Sequence, residues 1–234
     1  MINNKTYLEK TVGIAIFSAL AFVVALVCNV IPPVQGFLSL DVKDAVIAIA
    51  SFIYGPISGV LIAFIAAFIE FLTFSTTAWY GFIMNFASSA VFSLTAALIY
   101  KFRRTLNGAL IGFFCAVIAT TGVMLLLNSF VTPIYLIEFL KMPEAVAKST
   151  VIELLPKVLL PFNLAKSIMN ASVAMLLYKP IVTALRRTRV ASVSKGMVKG
   201  SKKASLSFNK SSIIIITLGS ALLITSIVIL LMIW

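Results

Sequence analysis

The stretch LLPFNLAKSIMN, Leu159 to Asn170, sets three polar side chains into an apolar run. Asn163 and Lys166 are three residues apart and Lys166 and Asn170 four apart, so on a helix all three share one face. A charge at the centre of a membrane helix costs between about 3 and more than 10 kcal/mol, and something must offset that cost. Entered from the side of Lys157, Asn163 and Lys166 lie roughly 10–15 Å down at 1.5 Å per residue. That is too deep for a lysine stem to reach the interface comfortably, and Pro161 frees a backbone carbonyl nearby. Further candidates gather at the same depth. Asn128 closes the fifth apolar run, and Trp79, Tyr80, Met84 and Asn85 open the fourth. Leu38, Leu40, Asp41, Lys43 and Asp44 lie before the second, and Glu70 in the third could neutralise a lysine. Amides offer donors and acceptors, and lysine adds a charged donor. With apolar walls that include Phe162, this chemistry suits a flat heteroaromatic ligand with a hydrogen-bonding edge. An ion would need more carboxylates, and a sugar more polar lining.

The elements that must hold these residues are membrane helices. Of 234 residues, 61% are hydrophobic and 11% charged, and the mean hydropathy is +1.11. Soluble domains are nearer half apolar and a quarter charged. The runs are long and lack period-2 alternation, which favours helices over a β-barrel. The apolar run after MINNKTYLEK is too long for a signal-peptide core and has no small-residue cleavage site, so it reads as the first membrane helix. Cys28 and Cys115 stand alone and read as small buried apolar groups. The chain has no histidine, the commonest metal ligand and general base; no metal site or catalytic residue is expected. A Ser/Lys couple fails on geometry, because Lys166 and Ser167 are helix neighbours that do not face each other. An enzyme is therefore not expected.

Helices are predicted over 11–31, 42–55, 57–75, 79–100, 107–128, 157–180 and 211–234, with a short surface helix between Met142 and Leu155. Pro32-Pro33, Gly55-Pro56, Ser75-Thr76-Thr77 and Asn107-Gly108 mark the breaks. The net charge of +12 is gathered between the runs, a pattern of membrane topology and not of nucleic-acid binding. By the positive-inside rule the N-terminus, 101–104 and 179–210 are cytoplasmic, in a multi-pass protein of the cell membrane. Three parts follow. Residues 1–185 form a six-helix membrane domain and 186–210 a basic cytoplasmic linker suited to anionic headgroups. Residues 211–234 form an additional, plain anchor helix with no functional residue. No internal repeat is evident, which leaves an inverted-repeat transporter without support.

At these residues the chain resembles the riboflavin-specific substrate-binding subunits (S components) of energy-coupling factor (ECF) transporters. The stretches that carry the resemblance are LLPFNLAKSIMN with LLYK, NSFVTPIYL, GFIMNFASSAVF with ALIYKF, and the FLSLDVKD loop. They cover roughly residues 8 to 185. The resemblance implies a six-helix bundle with both ends cytoplasmic and riboflavin in an outward-facing pocket capped by the first loops. Asn128, Asn163 and Lys166 would then hydrogen-bond the pyrimidine-like edge of the isoalloxazine, and Leu38 and Leu40 would pack on the ring. Asp41, Trp79, Tyr80, Met84, Asn85 and Asn170 join the site by depth alone.

The resemblance also implies partners: a transmembrane coupling subunit, met through an Ala-x-x-x-Ala pattern here formed by Ala15 and Ala19, and two ATP-binding subunits. Small residues four apart let helices approach closely, and Ala21 and Ala25 repeat the spacing. No GxxxxGK[ST] loop is present, so energy must come from those partners. No cofactor is expected, riboflavin being the cargo. Two departures stand out: Lys43 occupies a position where the family pattern has serine, and the linker and last helix exceed the six-helix pattern. The rivals are an S component for FMN, folate or thiamine, and an ion- or proton-coupled carrier using Glu70 and Lys166.

Overall fold

The computed structural model describes residues 4–187 and 210–233. At its centre stands α2 (Lys43–Tyr54), buried at every position from Lys43 to Ile53. A helix that is apolar on nearly all sides belongs inside a bundle. Its 12 residues span about 18 Å, short of the roughly 30 Å of a bilayer core. Around it pack α1 (Asn4–Cys28), α3 (Pro56–Thr73), α4 (Ala78–Phe102) and α7 (Leu160–Arg187). α5 (Leu106–Glu138) pairs with α4 and α7, the short α6 (Glu144–Leu154) lies against α5, and α8 (Lys210–Ile233) runs along α7. No strand occurs among the described residues; Val34 and Leu38 form an isolated bridge.

The protein is an all-α multi-pass membrane protein. α1, α3, α4, α5 and α8 are each long and apolar enough to cross a bilayer. α2 is too short, and α7 is interrupted by the polar residues that make up its buried face. Lipid-facing apolar side chains such as Val12, Ile16, Leu61, Phe114 and Ile118 stay exposed on the outside of the bundle, as a hydrocarbon solvent allows.

Local chemistry explains the breaks. α2 ends one residue before α3 begins, because Gly55 takes φ 98°, ψ 163°, a region open essentially only to glycine. Pro56 then starts α3, where its missing N–H costs nothing. α4 and α5 approach closely at Gly112, where a Cβ would come 2.8 Å from the Ala96 carbonyl oxygen. Phe52, Phe92, Tyr100 and Phe113 fill the bundle at the end away from the cavity described below, with Phe52 stacked on Tyr100 at 4.2 Å between ring centroids.

Two boundaries differ from the sequence expectation. α5 continues ten residues past 128, to Glu138, with Pro133 inside it, so the expected connection over 129–156 shrinks to a turn and α6. A helix tolerates an internal proline when neighbouring groups take up the freed backbone. Pro133 leaves the Ser129 carbonyl without its usual backbone donor, and α5 nonetheless continues to Glu138. A single π turn over Leu155–Leu159 joins α6 to α7 without a break, and α7 runs on to Arg187. The expected linker falls, over 188–209, outside the described residues.

Candidate functional site

A cavity opens between the loop preceding α2 and the adjoining ends of α4, α5 and α7. The loop supplies its roof: Phe37, Leu38 and Ser39 line it. Their backbone is folded back by a tight turn in which Val34 and Leu38 exchange two N–H···O bonds of 3.0 Å. Gln35 (φ 53°) and Gly36 (φ 78°) occupy the two central positions, the left-handed pair of a type I′ turn.

The polar wall comes from α5 and α7. Asn163 donates through Nδ2 to the Leu159 carbonyl (2.7 Å). No protein donor reaches its Oδ1 among the described residues, and that oxygen remains available to a ligand. Asn128 donates to the Met124 carbonyl (2.7 Å) and accepts from Thr132 (2.8 Å). Lys166 lines the cavity while its Nζ donates to the Ser39 carbonyl (2.9 Å) and to Asp41 Oδ2 (2.8 Å). An ammonium has three N–H donors, so one is left for the cavity. Aromatic and apolar walls complete the space: Phe162 from α7, Tyr80 and Met84 from α4, Met124, Val131 and Tyr135 from α5. Tyr80 donates to Glu138 and stands edge-on to Tyr135, 5.6 Å between centroids.

Of the residues expected at the site, Leu38, Tyr80, Met84, Asn85, Asn128, Asn163 and Lys166 converge on this cavity. Leu40, Asp41, Trp79 and Asn170 do not line it. Trp79 is 48% exposed and stacks on the outside of Tyr80. Leu40 and Asp41 line a second recess behind the loop, with Cys28, Glu70 and Asn85. Asn170 is fully buried beneath the cavity. It donates to the Asp41 carbonyl (2.9 Å) and accepts from the Ala45 N–H (2.9 Å). α2 has no side-chain cap of its own at Val42; an asparagine from α7 satisfies one of its open N–H groups instead.

The charges under the roof form one network. Lys43 bonds both Glu70 oxygens (2.7 and 2.6 Å), and Asn85 donates to Glu70 Oε2 (3.3 Å). Asp41 accepts from Lys166 and from the Lys43 backbone N–H (3.2 Å). Asp44 accepts from Ser89 (2.5 Å). Glu70 therefore neutralises Lys43, not Lys166. Buried ions survive only when paired and hydrogen-bonded, and Lys43 brings its own counter-ion. Outside the bundle, α6 and the π turn after it carry exposed Lys148–Glu144 and Lys157–Glu153 pairs. Each lysine, by hydrogen bond and by charge, holds its partner's carboxyl below the usual range, and so exposed a pair adds little to stability.

Val131, Thr132 and Tyr135 were not expected at the site, because the fifth helix was ended at 128. Each lies on the extra turns of α5. Phe37, Ser39, Thr77 and Ser88 also line the cavity. Thr132 and Tyr135 lie in NSFVTPIYL, one of the stretches that carry the family resemblance.

A family model described as "ECF transporter, substrate-specific component" matches residues 9–178. The chain belongs to this family. It is 32% identical to the riboflavin transporter RibU of Staphylococcus aureus (strain TCH60) over 180 residues, 76% of this chain and 93% of that protein. It is 28% identical to the riboflavin transporter FmnP of Bacillus subtilis (strain 168), over 73% of this chain and 90% of that one. A solved structure of the S component of a bacterial ECF transporter superposes with a TM-score of 0.62 at 32% identity. The match covers 76% of this chain and 98% of that one. As a substrate-specific component of an ECF transporter, the protein is a transport subunit and not an enzyme.

Proposed function

We propose that this S component captures riboflavin from outside the cell in the cavity under the loop before α2. It delivers the vitamin inward together with a transmembrane coupling subunit and two ATP-binding subunits. The observation that carries the reading is the convergence of Asn163 Oδ1, the third N–H of Lys166 and the Asn128 amide on one wall of an aromatic-lined space. The pyrimidine edge of an isoalloxazine presents an N–H donor flanked by carbonyl acceptors. An open amide oxygen beside an ammonium donor complements that edge. Phe162, Tyr80 and Leu38 offer the apolar surface a flat ring needs. The names of both relatives support riboflavin as the cargo.

A single open ammonium donor offers little to a phosphate, which disfavours FMN. Glu70 and Asp41 are engaged by Lys43 and Lys166 and Asp44 by the Ser89 hydroxyl, which disfavours an ion- or proton-coupled carrier. In this reading the N-terminus and the basic segments are cytoplasmic, and residues 1–185 act as the binding domain. The basic charge of residues 186–210 suits anionic lipid headgroups, and Lys210–Ile233 is the added helix. Ala15 and Ala19 lie exposed on α1, whereas Ala21 and Ala25 face inward. The outward pair is the surface offered to the coupling subunit. Protein purified from cells grown with riboflavin tests the reading. It is expected to be yellow, with the flavin bound near one per chain; a colourless protein that takes up no added riboflavin contradicts it.

A further inference from the structure

The last helix reads from sequence as a plain anchor, but its packing gives it a second role. α8 runs antiparallel to α7. At Gly219 a Cβ would come 3.1 Å from Leu176 Cδ2 and 3.6 Å from the Ser172 carbonyl oxygen, so the helices touch closely there. Three turns later Leu230, 4% exposed, enters a buried cluster with Val34 and Leu38 of the roof loop, Leu159 of the π turn and Phe162 of α7. Ile229 and Ile233 pack on the same cluster. Leu38 and Phe162 also line the cavity. One layer of apolar side chains therefore separates α8 from the space under the roof.

This helix is an addition to the common body. The family match ends at residue 178. The 180 matched residues are 93% of the Staphylococcus protein, which leaves that relative about 14 residues outside the match, fewer than the 24 of α8. In this chain the roof loop thus has an apolar contact that the shared six-helix body does not supply.

We propose that α8 is a clamp on the roof of the cavity. Leu230, with Ile229 and Ile233, seats the loop over 29–42 and slows escape of the bound ligand. The roof is also held by the polar contacts of Lys166 and Asn170, by its own tight turn, and by Phe37, which packs on Tyr135 at 5.9 Å between ring centroids. Loops with few buried apolar contacts open at low free-energy cost, and loop opening commonly sets the rate at which a bound molecule leaves. Apolar burial present only when the loop is seated lengthens the closed state, so it acts on dissociation more than on association.

For its ligand the proposal rests on the riboflavin reading; its effect on the loop does not. The full-length chain, Leu230→Ala, Gly219→Leu and the control Leu231→Ala are compared in detergent. Leu231 is 71% exposed one position along. Hydrogen exchange of the backbone amides over 29–42 is measured without ligand, and riboflavin dissociation is followed by recovery of flavin fluorescence. Leu230→Ala and Gly219→Leu are expected to speed both loop exchange and dissociation several-fold. Association should change less, and Leu231→Ala should match the parent. Unchanged loop exchange in Leu230→Ala overturns the clamp, as does faster exchange spread evenly over α2 and α4. Should the parent bind no riboflavin, the functional reading falls, and the loop exchange still decides the clamp.

Discussion

Lys166 Nζ lies 2.8 Å from Asp41 Oδ2 and 2.9 Å from the Ser39 carbonyl oxygen, which ties the middle of α7 to the loop that roofs the cavity. The same ammonium faces the ligand space. One residue thus couples the seating of the roof to the polarity of the site, and the first prediction separates the two roles.

Lys166→Met leaves Asp41 buried without its ammonium, and breaking a buried pair by removing one partner costs about 3–5 kcal/mol. Thermal unfolding in detergent is expected to show that loss. The double variant Asp41→Asn/Lys166→Met should recover much of the stability. Riboflavin affinity should stay reduced in both, by about 1–3 kcal/mol for the lost desolvated hydrogen bond. Recovery of affinity together with stability would remove Lys166 from ligand contact.

Asn163 separates binding from folding in the other direction. Among the described residues its one protein bond is to the Leu159 carbonyl, one turn back. Asn163→Ala should therefore lower riboflavin affinity by about 1–3 kcal/mol and leave the melting temperature nearly unchanged. Titration of flavin fluorescence beside a melting curve checks both halves.

Asn170 is expected to behave in the opposite way. Asn170→Ala strips its partner from the buried Asp41 carbonyl, a loss of about 1–3 kcal/mol, and leaves the Ala45 N–H only its 3.3 Å bond to the Val42 carbonyl. The melting temperature should fall. Riboflavin affinity should fall only as far as the roof loosens.

Lys43→Ser should destabilise this chain, because Glu70 then lies buried without its ammonium. The loss expected is about 3–5 kcal/mol, and adding Glu70→Gln should restore most of it. A Lys43→Ser protein as stable as the parent would show that the pair is dispensable.

Ala15→Leu/Ala19→Leu alters only the exposed face of α1. Riboflavin binding by the isolated chain should stay as in the parent, while uptake with the coupling and ATP-binding subunits should fall steeply, since bulky side chains hold two helices apart. Normal uptake would place the contact elsewhere.

Much of this arrangement was legible in the sequence, for reasons that differ from residue to residue. Asn163, Lys166 and Asn170 announced themselves because polar groups are expensive in hydrocarbon, and their 3-and-4 spacing set them on one face. What spacing does not carry is which partner each one meets. Asn170 turned out to cap α2, and Lys43 claimed Glu70, contacts made across 125 and 27 residues of chain. Tyr135 was missed because the fifth helix is expected to end at 128, whereas α5 runs on through Pro133 to Glu138. The contact of Leu230 with the roof left no mark in its own segment, where every apolar residue looks equally fit for lipid.

The central claim is that an amide and an ammonium on α7 hold the pyrimidine edge of a flavin. It is tested most directly by titrating the purified chain with riboflavin and with riboflavin methylated at the ring N3, following flavin fluorescence. Riboflavin is expected to be quenched to saturation at one per chain, and the methylated flavin, which has lost its edge donor, to bind far more weakly. Equal binding of the two flavins, or no quenching by either, would contradict the account.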